Sequence, residues 1–283
     1  MQLRVGRIPY INCYPVYGGI DRGIVSMDGA LVDGIPTVLN RLMASGQLDV
    51  SVVSAVEYAR DAKRYLLLPE LGITSDGPVR SVMLFSRRDP SGLGGRKVLV
   101  SRSSMTSVAL LELLFENVWR CAPDFVPGDA ELADLARFDE EPHDARLVIG
   151  DAALRLSDEA NRGGPWADRY PFRIDLGEAW KQWTGLPFVF AVWVAQRSAP
   201  VRDALGVHAS LIASRDWGLE HLDVLAEDAA RASGVPRETC AEYLSGLDYR
   251  LSYPHLAGLT EFFRRLLLVG RVPDGTLSFL PAA

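Results

Sequence analysis

The chain has 283 residues, of which 48% are hydrophobic and 23% charged, as in an ordinary globular protein with a core large enough for two lobes. Its formal net charge of -6 argues against a nucleic acid or an anionic membrane as partner, because both require a clustered basic surface. The scattered cysteines form no C-x-x-C pair, which predicts reduced thiols without disulfides or a cysteine zinc site.

The start of the chain, MQLRVGRIPYINCYP, lacks the continuous apolar stretch of a secretory signal. The longest strongly apolar run, FVFAVWVA at residues 188–195, is too short to span a bilayer. We therefore expect a cytoplasmic protein without a membrane segment.

Apolar runs alternate with helical patterns along the chain. In chain order these are strand LRVGRI, helix IPTVLNRLMAS, strand LDVSVVS, helix AVEYARDAKR, strands SVMLFS and RKVLVS, helix SVALLELLFENVW, strand and helix RLVIGDAAL, strand FRIDL, a short helix around Trp180, strand FVFAVWVA, and mainly helix from about Val201. This alternation predicts an α/β fold with parallel sheets flanked by helices.

Two breaks in the pattern adjoin long buried strands, SRRDPSGLGG at 86–95 and TGLPF at 184–188. The chain is therefore expected to cross twice between two lobes. Residues 1–86 and 193–283 would form one discontinuous α/β lobe, and residues 87–192 an inserted α/β lobe. The Gly-Leu-Pro bend in the second break is also what a hinge between lobes requires.

Several predicted strands end in polar residues. In open α/β sheets, ligands bind outside the carboxyl ends of the strands, so these residues are candidates for a binding cleft. They are Tyr10, Asn12, Ser54, Arg80, Ser81, Ser103, Ser104, Thr106, Ser107 and Asp151.

The segment SRSSMTS places several hydroxyls and free backbone N–H groups at the start of a helix. Such a terminus suits a carboxylate or a phosphate, but the same residues also serve as ordinary helix caps, and both interpretations stay open here. For Asp151, after Gly150, a helix N-cap is the favoured role. A carboxylate between the lobes would instead act as an acid, a base or a partner of a substrate hydroxyl.

Motifs for nucleotide, metal or hydrolase chemistry do not fit. SGLGGRK lacks the phosphate-loop spacing and precedes a strand, EEPHD at 140–144 is interpreted as a solvated loop, and no G-x-S-x-G elbow occurs. Cys13 has no nearby histidine motif to activate it, so a buried thiol is favoured over a nucleophile.

The segments RIPYINCYPVY, GQLDVSVVSAVEYA, GPVRSVMLFS, SSMTSVALLELL, LVIGDAAL and DLGEAWKQWTGLPFVFAVWVA together resemble the chorismate dehydratase family over nearly the whole chain. The TGLPFVFAVW block is the most specific. The resemblance implies a type II periplasmic-binding-protein-like fold, two α/β lobes that close on a ligand cleft. It also implies a carbon–oxygen lyase that converts chorismate to 3-[(1-carboxyvinyl)oxy]benzoate and water in the futalosine route to menaquinone, without a cofactor or a metal.

Matching the motifs Y-x-N-x-x-P and V-x-S-V puts the family's active-site Asn and Ser on Asn12 and Ser81. A neutral amide is no base, so Asn12 would either orient the leaving hydroxyl or position a proton acceptor, for which a substrate carboxylate is one choice. Ser81 would donate to the leaving oxygen or to the ring substituents, and Asp151 is a candidate for proton transfer. One substrate carboxylate would bind at the serine-rich helix start. Ser54, Arg80 or backbone amides would hold the second.

Two other functions remain open at this point. The sister enzyme, 1,4-dihydroxy-6-naphthoate synthase, shares the fold, and the same lobes would serve a solute-binding or sensor protein for an aromatic carboxylate. In each case the expected partner is a small molecule that Tyr10 and Tyr14 would flank. No oligomeric state is predicted.

Overall fold

The structure is a computed structural model that describes residues 2–101, 104–128 and 135–281. The strands in these residues are β1 (Leu3–Arg7), β2 (Gly29–Asp33), β3 (Val50–Ser54), β4 (Tyr65–Ser75), β5 (Val82–Ser86), β6 (Lys97–Ser101), β7 (Asp124–Gly128), β8 (Ala145–Ile149), β9 (Phe172–Asp175) and β10 (Phe188–Gln196).

Helices connect and cover the strands. They are α1 (Tyr14–Asp21), α2 (Pro36–Ala44), α3 (Ala55–Arg60), α4 (Met105–Leu114), α5 (Gly150–Asn161), α6 (Pro165–Arg169), α7 (Leu176–Thr184), α8 (Val201–Glu220), α9 (Leu222–Ser233), α10 (Arg237–Gly246) and α11 (Tyr253–Leu268). Short 3₁₀ turns lie at Ile11–Cys13, Pro90–Gly92 and Leu135–Asp139, and a π-helical turn extends α4 at Phe115–Trp119. Among the described residues, no helix is both long and apolar enough to cross a membrane.

The strands form two five-stranded sheets, in the orders β2-β1-β3-β10-β4 and β7-β6-β8-β5-β9. Both sheets are mixed, which corrects the expectation of parallel sheets. In the first sheet β10 runs antiparallel to β3 and β4, and in the second β5 runs antiparallel to β8 and β9. Each of these two strands enters its sheet from the other lobe, so no right-handed crossover helix sets its direction.

Sheet pairing also moves the two predicted lobe boundaries. The predicted break at 86 would leave Val82–Ser86 in the first lobe, but this strand pairs within the second sheet. The predicted break at 193 would divide Phe188–Gln196, whose whole length pairs in the first sheet. The chain therefore crosses between Ser75 and Val82, and again between Asp175 and Phe188.

The central strands β3, β5 and β8 are buried at every position, because helices cover both faces of each sheet. The aromatic residues of the TGLPFVFAVW region belong to this core. Trp180 and Phe188 are fully buried with their ring centroids 5.2 Å apart, and the Trp180 indole donates to the Pro187 carbonyl at 3.2 Å. Gly185, at φ +74°, ends α7 in the left-handed conformation that favours glycine.

A separate small core in the second lobe contains His143, from the segment predicted to be a solvated loop. His143 is 7% exposed, its ring stacks on Tyr170 at 5.7 Å, and its Nε2 lies 2.9 Å from the Tyr170 hydroxyl. Burial lowers the pKa of this histidine. Residues 140–144 form a loop, as predicted, with Glu140 and Pro142 exposed, but His143 is buried. The charged composition of this loop does not show which of its side chains points inward.

Candidate active site

The chain after β1 makes one 3₁₀ turn at Ile11–Cys13 and continues directly into α1, with Pro15 in the first helical turn, where a missing N–H costs nothing. This geometry buries the Asn12 side-chain oxygen Oδ1, which accepts no hydrogen bond from the described residues. A buried acceptor without a donor costs about 1–3 kcal/mol, so Asn12 is a strong candidate to meet a ligand.

Tyr10 lies against the start of α5 in the other lobe. A Cβ added to Gly150 would stand 3.9 Å from Tyr10 Cδ2, and Gly150 adopts φ +66°, so glycine suits this position for its conformation as well as its size. The Gly150 amide donates to the Ser81 carbonyl at 2.8 Å. Tyr10 and Ser81, widely separated in sequence, thus meet at the same glycine.

Ser81 is held by its backbone. Its amide donates to the Val79 carbonyl at 2.7 Å, and the preceding residue, Arg80, adopts the left-handed φ of 61°. The Asp175 carboxylate holds this strained segment, accepting from the Val79 amide at 3.0 Å and the Arg80 amide at 2.6 Å. Ser81 is 4% exposed, and its hydroxyl accepts a hydrogen bond from the Tyr243 hydroxyl at 2.9 Å.

The Arg80 side chain is exposed, with 47% of its surface accessible, and it pairs with Glu242 of α10 at 2.8 Å. Its charge is therefore matched by a carboxylate on the protein surface.

Asp151 is not the N-cap residue of α5. The helix begins at Gly150 and its N-cap is Ile149, so Asp151 stands inside the first turn, where the helix dipole favours a carboxylate. Helix α5, which carries Asp151 in its first turn, packs against the 3₁₀ turn Ile11–Cys13 that carries Asn12. The Asp151 charge contributes, after burial, to raising the pKa of Cys13, Tyr14 and Tyr243.

Cys13 is buried, at 2% exposed, beside Asn12. Burial first, and the Asp151 charge second, raise the pKa of Cys13 to about 12. A thiol with this pKa is protonated at neutral pH and is a poor nucleophile. The structure therefore agrees with the interpretation of Cys13 as a buried thiol.

We call Tyr10, Asn12, Ser81, Asp151 and Tyr243 the strand-end cluster. Tyr10 lies beside Gly150, Tyr243 donates to Ser81, and Asn12 and Asp151 are close in sequence to Tyr10 and Gly150. Tyr243 was not among the residues predicted from the sequence. It lies on α10 in a helical pattern that marks it as one more core aromatic. Only the packing of α10 against the second lobe reveals its hydroxyl contact.

The other predicted residues form a helix-start cluster, in which the starts of α3 and α4 meet: Ser54, Val56, Ser104, Thr106 and Ser107. Ser54 is the N-cap of α3, and Ser104 is the N-cap of α4. The Val56 amide donates to the Thr106 hydroxyl across the lobes at 3.2 Å. Ser103 lies outside the described residues.

Hydroxyls in the helix-start cluster are engaged with one another and with the backbone. Ser104 Oγ donates to Ser107 Oγ at 2.7 Å and accepts from the Ser107 amide at 3.4 Å. Ser54 Oγ accepts from the Glu57 amide at 3.3 Å and from the Asn40 side chain at 3.1 Å. A pocket of about 340 Å³ opens beside Ser104, and Arg60 and Arg271 also line it.

Among the residues that the structure describes, no group of three or more His, Cys, Asp or Glu side chains is placed to hold a metal ion. The polar atoms of both clusters are amide, hydroxyl and carboxylate groups. Such groups orient a small polar molecule and move protons.

The two sheets, the two crossings and the polar groups between the lobes define a type II periplasmic-binding-protein-like fold. A crystal structure of a protein from Archaeoglobus fulgidus matches with a TM-score of 0.79 at 20% identity, covering 95% of this chain and 98% of that one. The periplasmic aliphatic sulphonate binding protein of Escherichia coli matches with a TM-score of 0.64 at 15% identity, covering 97% and 94%.

Within this fold class, the chain belongs to the menaquinone biosynthesis family, whose model matches residues 3–267. A chorismate dehydratase of Thermus thermophilus is 32% identical over 268 residues, which are 91% of this chain and 95% of that protein.

Proposed function

We propose that the protein is a chorismate dehydratase, a carbon–oxygen lyase of menaquinone biosynthesis that produces 3-[(1-carboxyvinyl)oxy]benzoate. The observation that carries the proposal is the similarity to the Thermus thermophilus chorismate dehydratase, which spans 91% of this chain. The buried, unpartnered Asn12 oxygen in a cleft-forming fold adds independent support. The cysteines Cys13, Cys121 and Cys240 are free, which supports the proposed cytoplasmic location.

The reaction balances without another reactant. Chorismate loses its ring hydroxyl and the hydrogen on the carbon that bears the enolpyruvyl ether, and together these make one water. The electron pair of the broken C–H bond completes the aromatic ring as the C–O bond breaks. The enzyme has to orient the hydroxyl, assist its departure and accept the proton.

The strand-end cluster is proposed to perform these tasks. The Asn12 oxygen accepts a hydrogen bond from the leaving hydroxyl and orients it, since a neutral amide is too weak a base to take the proton. The Ser81 hydroxyl donates to the leaving oxygen. Asp151 supplies the carboxylate of the cluster and exchanges the proton. Tyr10 flanks the ring.

The helix-start cluster is proposed to bind a substrate carboxylate. The first turn of α4 presents backbone N–H groups and a partial positive charge, and the start of α3 faces it across the lobes. Ser54, Ser104, Thr106 and Ser107 would then hold the helix starts in place, and Ser103 belongs to the same segment. Arg80 is proposed to bind the second substrate carboxylate. To do so, its guanidinium would have to leave Glu242, its partner in this structure.

The test is incubation of the purified protein with chorismate, followed by chromatography and mass spectrometry. We expect a new aromatic product that is lighter than chorismate by one water, and no such product with Asn12→Ala protein at equal concentration. Chorismate bound but unchanged would contradict the proposal and favour a solute-binding protein.

A further inference from the structure

Tyr243 lies on α10, a helix that packs against α9 of the first lobe and also contacts the second lobe. One face of α10 carries three polar contacts in succession. Thr239 Oγ1 donates to Asp158 of α5 at 2.8 Å, Arg80 donates to Glu242 at 2.8 Å, and the Tyr243 hydroxyl reaches Ser81 at 2.9 Å. Tyr243 is the buried member of this series, with 2% of its surface exposed.

The hydrogen bond from Tyr243 restricts what the Ser81 hydroxyl does. A serine hydroxyl has one proton and two lone pairs, and Tyr243 occupies one lone pair by donating its own proton. Burial raises the pKa of Tyr243, so this phenol remains a neutral donor at physiological pH. The Ser81 proton is therefore left to point at a third group.

Hydrogen bonds fix the backbone around Ser81, so only the side chain of Ser81 is able to rotate. Its amide donates to Val79, its carbonyl accepts from Gly150, and Asp175 holds the segment before it. Without Tyr243, the side chain would rotate among its staggered conformations inside an otherwise fixed segment. A hydrogen bond from a fully buried phenol removes this freedom.

We propose that Tyr243 is a positioning residue that fixes the Ser81 hydroxyl as a donor toward the leaving oxygen of the substrate. The inference rests on the proposed function and on the role proposed for Ser81. It adds Tyr243, a residue of α10, to the residues proposed for catalysis. Helix α10 would then position a catalytic group in addition to packing in the fold. Tyr243 acts through Ser81 and need not touch the substrate.

A double-mutant cycle tests this role, with Ser81→Ala, Tyr243→Phe and the double variant assayed for kcat and KM on chorismate. We expect Ser81→Ala to lower kcat by about 100-fold and Tyr243→Phe by about tenfold, with KM changed less than about threefold. In the Ser81→Ala background, Tyr243→Phe should change kcat by less than about twofold, because the hydroxyl it positions is already gone.

Tyr58→Phe is the matched control. The Tyr58 side chain is also buried, and its hydroxyl donates to the Thr276 carbonyl at 3.0 Å and accepts from the Ser278 amide at 2.8 Å, so its hydrogen bonds are made to the C-terminal segment and not to a residue of either cluster. It should lose a similar amount of stability and keep wild-type kcat. A Tyr243→Phe variant with wild-type kcat, or independent effects in the cycle, would overturn the inference while leaving the proposed function intact. Wild-type protein that does not convert chorismate would overturn the proposed function, and with it the role of Tyr243.

Discussion

The strand-end cluster and the helix-start cluster are both polar and buried, but they use their hydrogen bonds differently. At the helix starts, Ser104, Ser107 and Thr106 bond one another and the backbone. At the strand ends, Asn12 Oδ1 has no donor in the described part of the chain, and Ser81 is restrained by one directional bond from Tyr243. The hydroxyls of the helix-start cluster therefore stabilise the helix starts, whereas the Asn12 oxygen keeps an acceptor for the reacting group that we propose it binds.

The largest expected effect follows from removing the unused acceptor. Asn12→Ala should lower kcat/KM by about 100-fold or more, because a hydrogen bond made to the reacting group contributes about 2–4 kcal/mol. Steady-state kinetics with chorismate, together with thermal unfolding, measure it. Asn117→Ala, which removes an amide that donates to the Leu113 carbonyl of its own helix, is the control and should keep full activity. Near-wild-type turnover in Asn12→Ala would remove the distinction between the clusters.

Changes at the helix starts should act mainly on binding and stability. Thr106→Ala removes the acceptor of the Val56 amide, so closure of the lobes becomes less favourable, and KM should rise by about three- to tenfold with a smaller change in kcat.

Ser104→Ala removes the α4 cap and should lower the free energy of unfolding by about 1 kcal/mol. If Ser104→Ala reduced kcat as strongly as Asn12→Ala, the engaged hydroxyls would be catalytic after all.

His143 lies outside both clusters, and its burial makes the stability of the protein depend on pH. Burial lowers the pKa of His143 below its ordinary 6.5, so His143 contributes stability above that pH and loses it as the pH falls through the lowered value. Between about pH 7.5 and pH 5.5, wild-type protein should lose on the order of 1 kcal/mol more of its free energy of unfolding than His143→Gln does. Denaturant titrations at both pH values measure the difference, and equal losses would refute the assignment.

The smallest effect is expected at Cys13, which lies beside Asn12 but packs in the core as a buried apolar side chain. Because its pKa is raised to about 12, the thiol is neutral at physiological pH, and Cys13→Ala should keep kcat within about threefold. Alkylation of the folded protein should modify Cys121 before Cys13, since Cys121 is partly exposed. A folded Cys13→Ala protein without turnover would show that the thiol takes part in the reaction.

Long, strongly patterned segments were predicted correctly. Apolar runs and helical spacing alone predict strand β10, helix α4 and the consecutive strand and helix β8 and α5. Strands β2, β4 and β7 were not predicted. The half-exposed residues of β2 and β7 give no clear alternation, and Pro69 interrupts the apolar run of the largely buried β4. Helix α1 was not predicted either, because Pro15 and two glycines lower its helical propensity, which packing of α1 on α8 overrides.

The sequence by itself determined the α/β class, the two crossings and the polar strand ends, because these depend on local patterns of apolar and polar residues. Only the tertiary structure decided that both sheets are mixed and that β5 belongs to the second lobe, since strand partners lie far apart in the chain. It also decided which polar atoms are engaged. The Ser104 hydroxyl is bonded within its own helix start, and the Asn12 oxygen is buried without a donor among the described residues. Hydrogen bonding depends on distance in space, and no spacing along the chain encodes the contact between Tyr243 and Ser81.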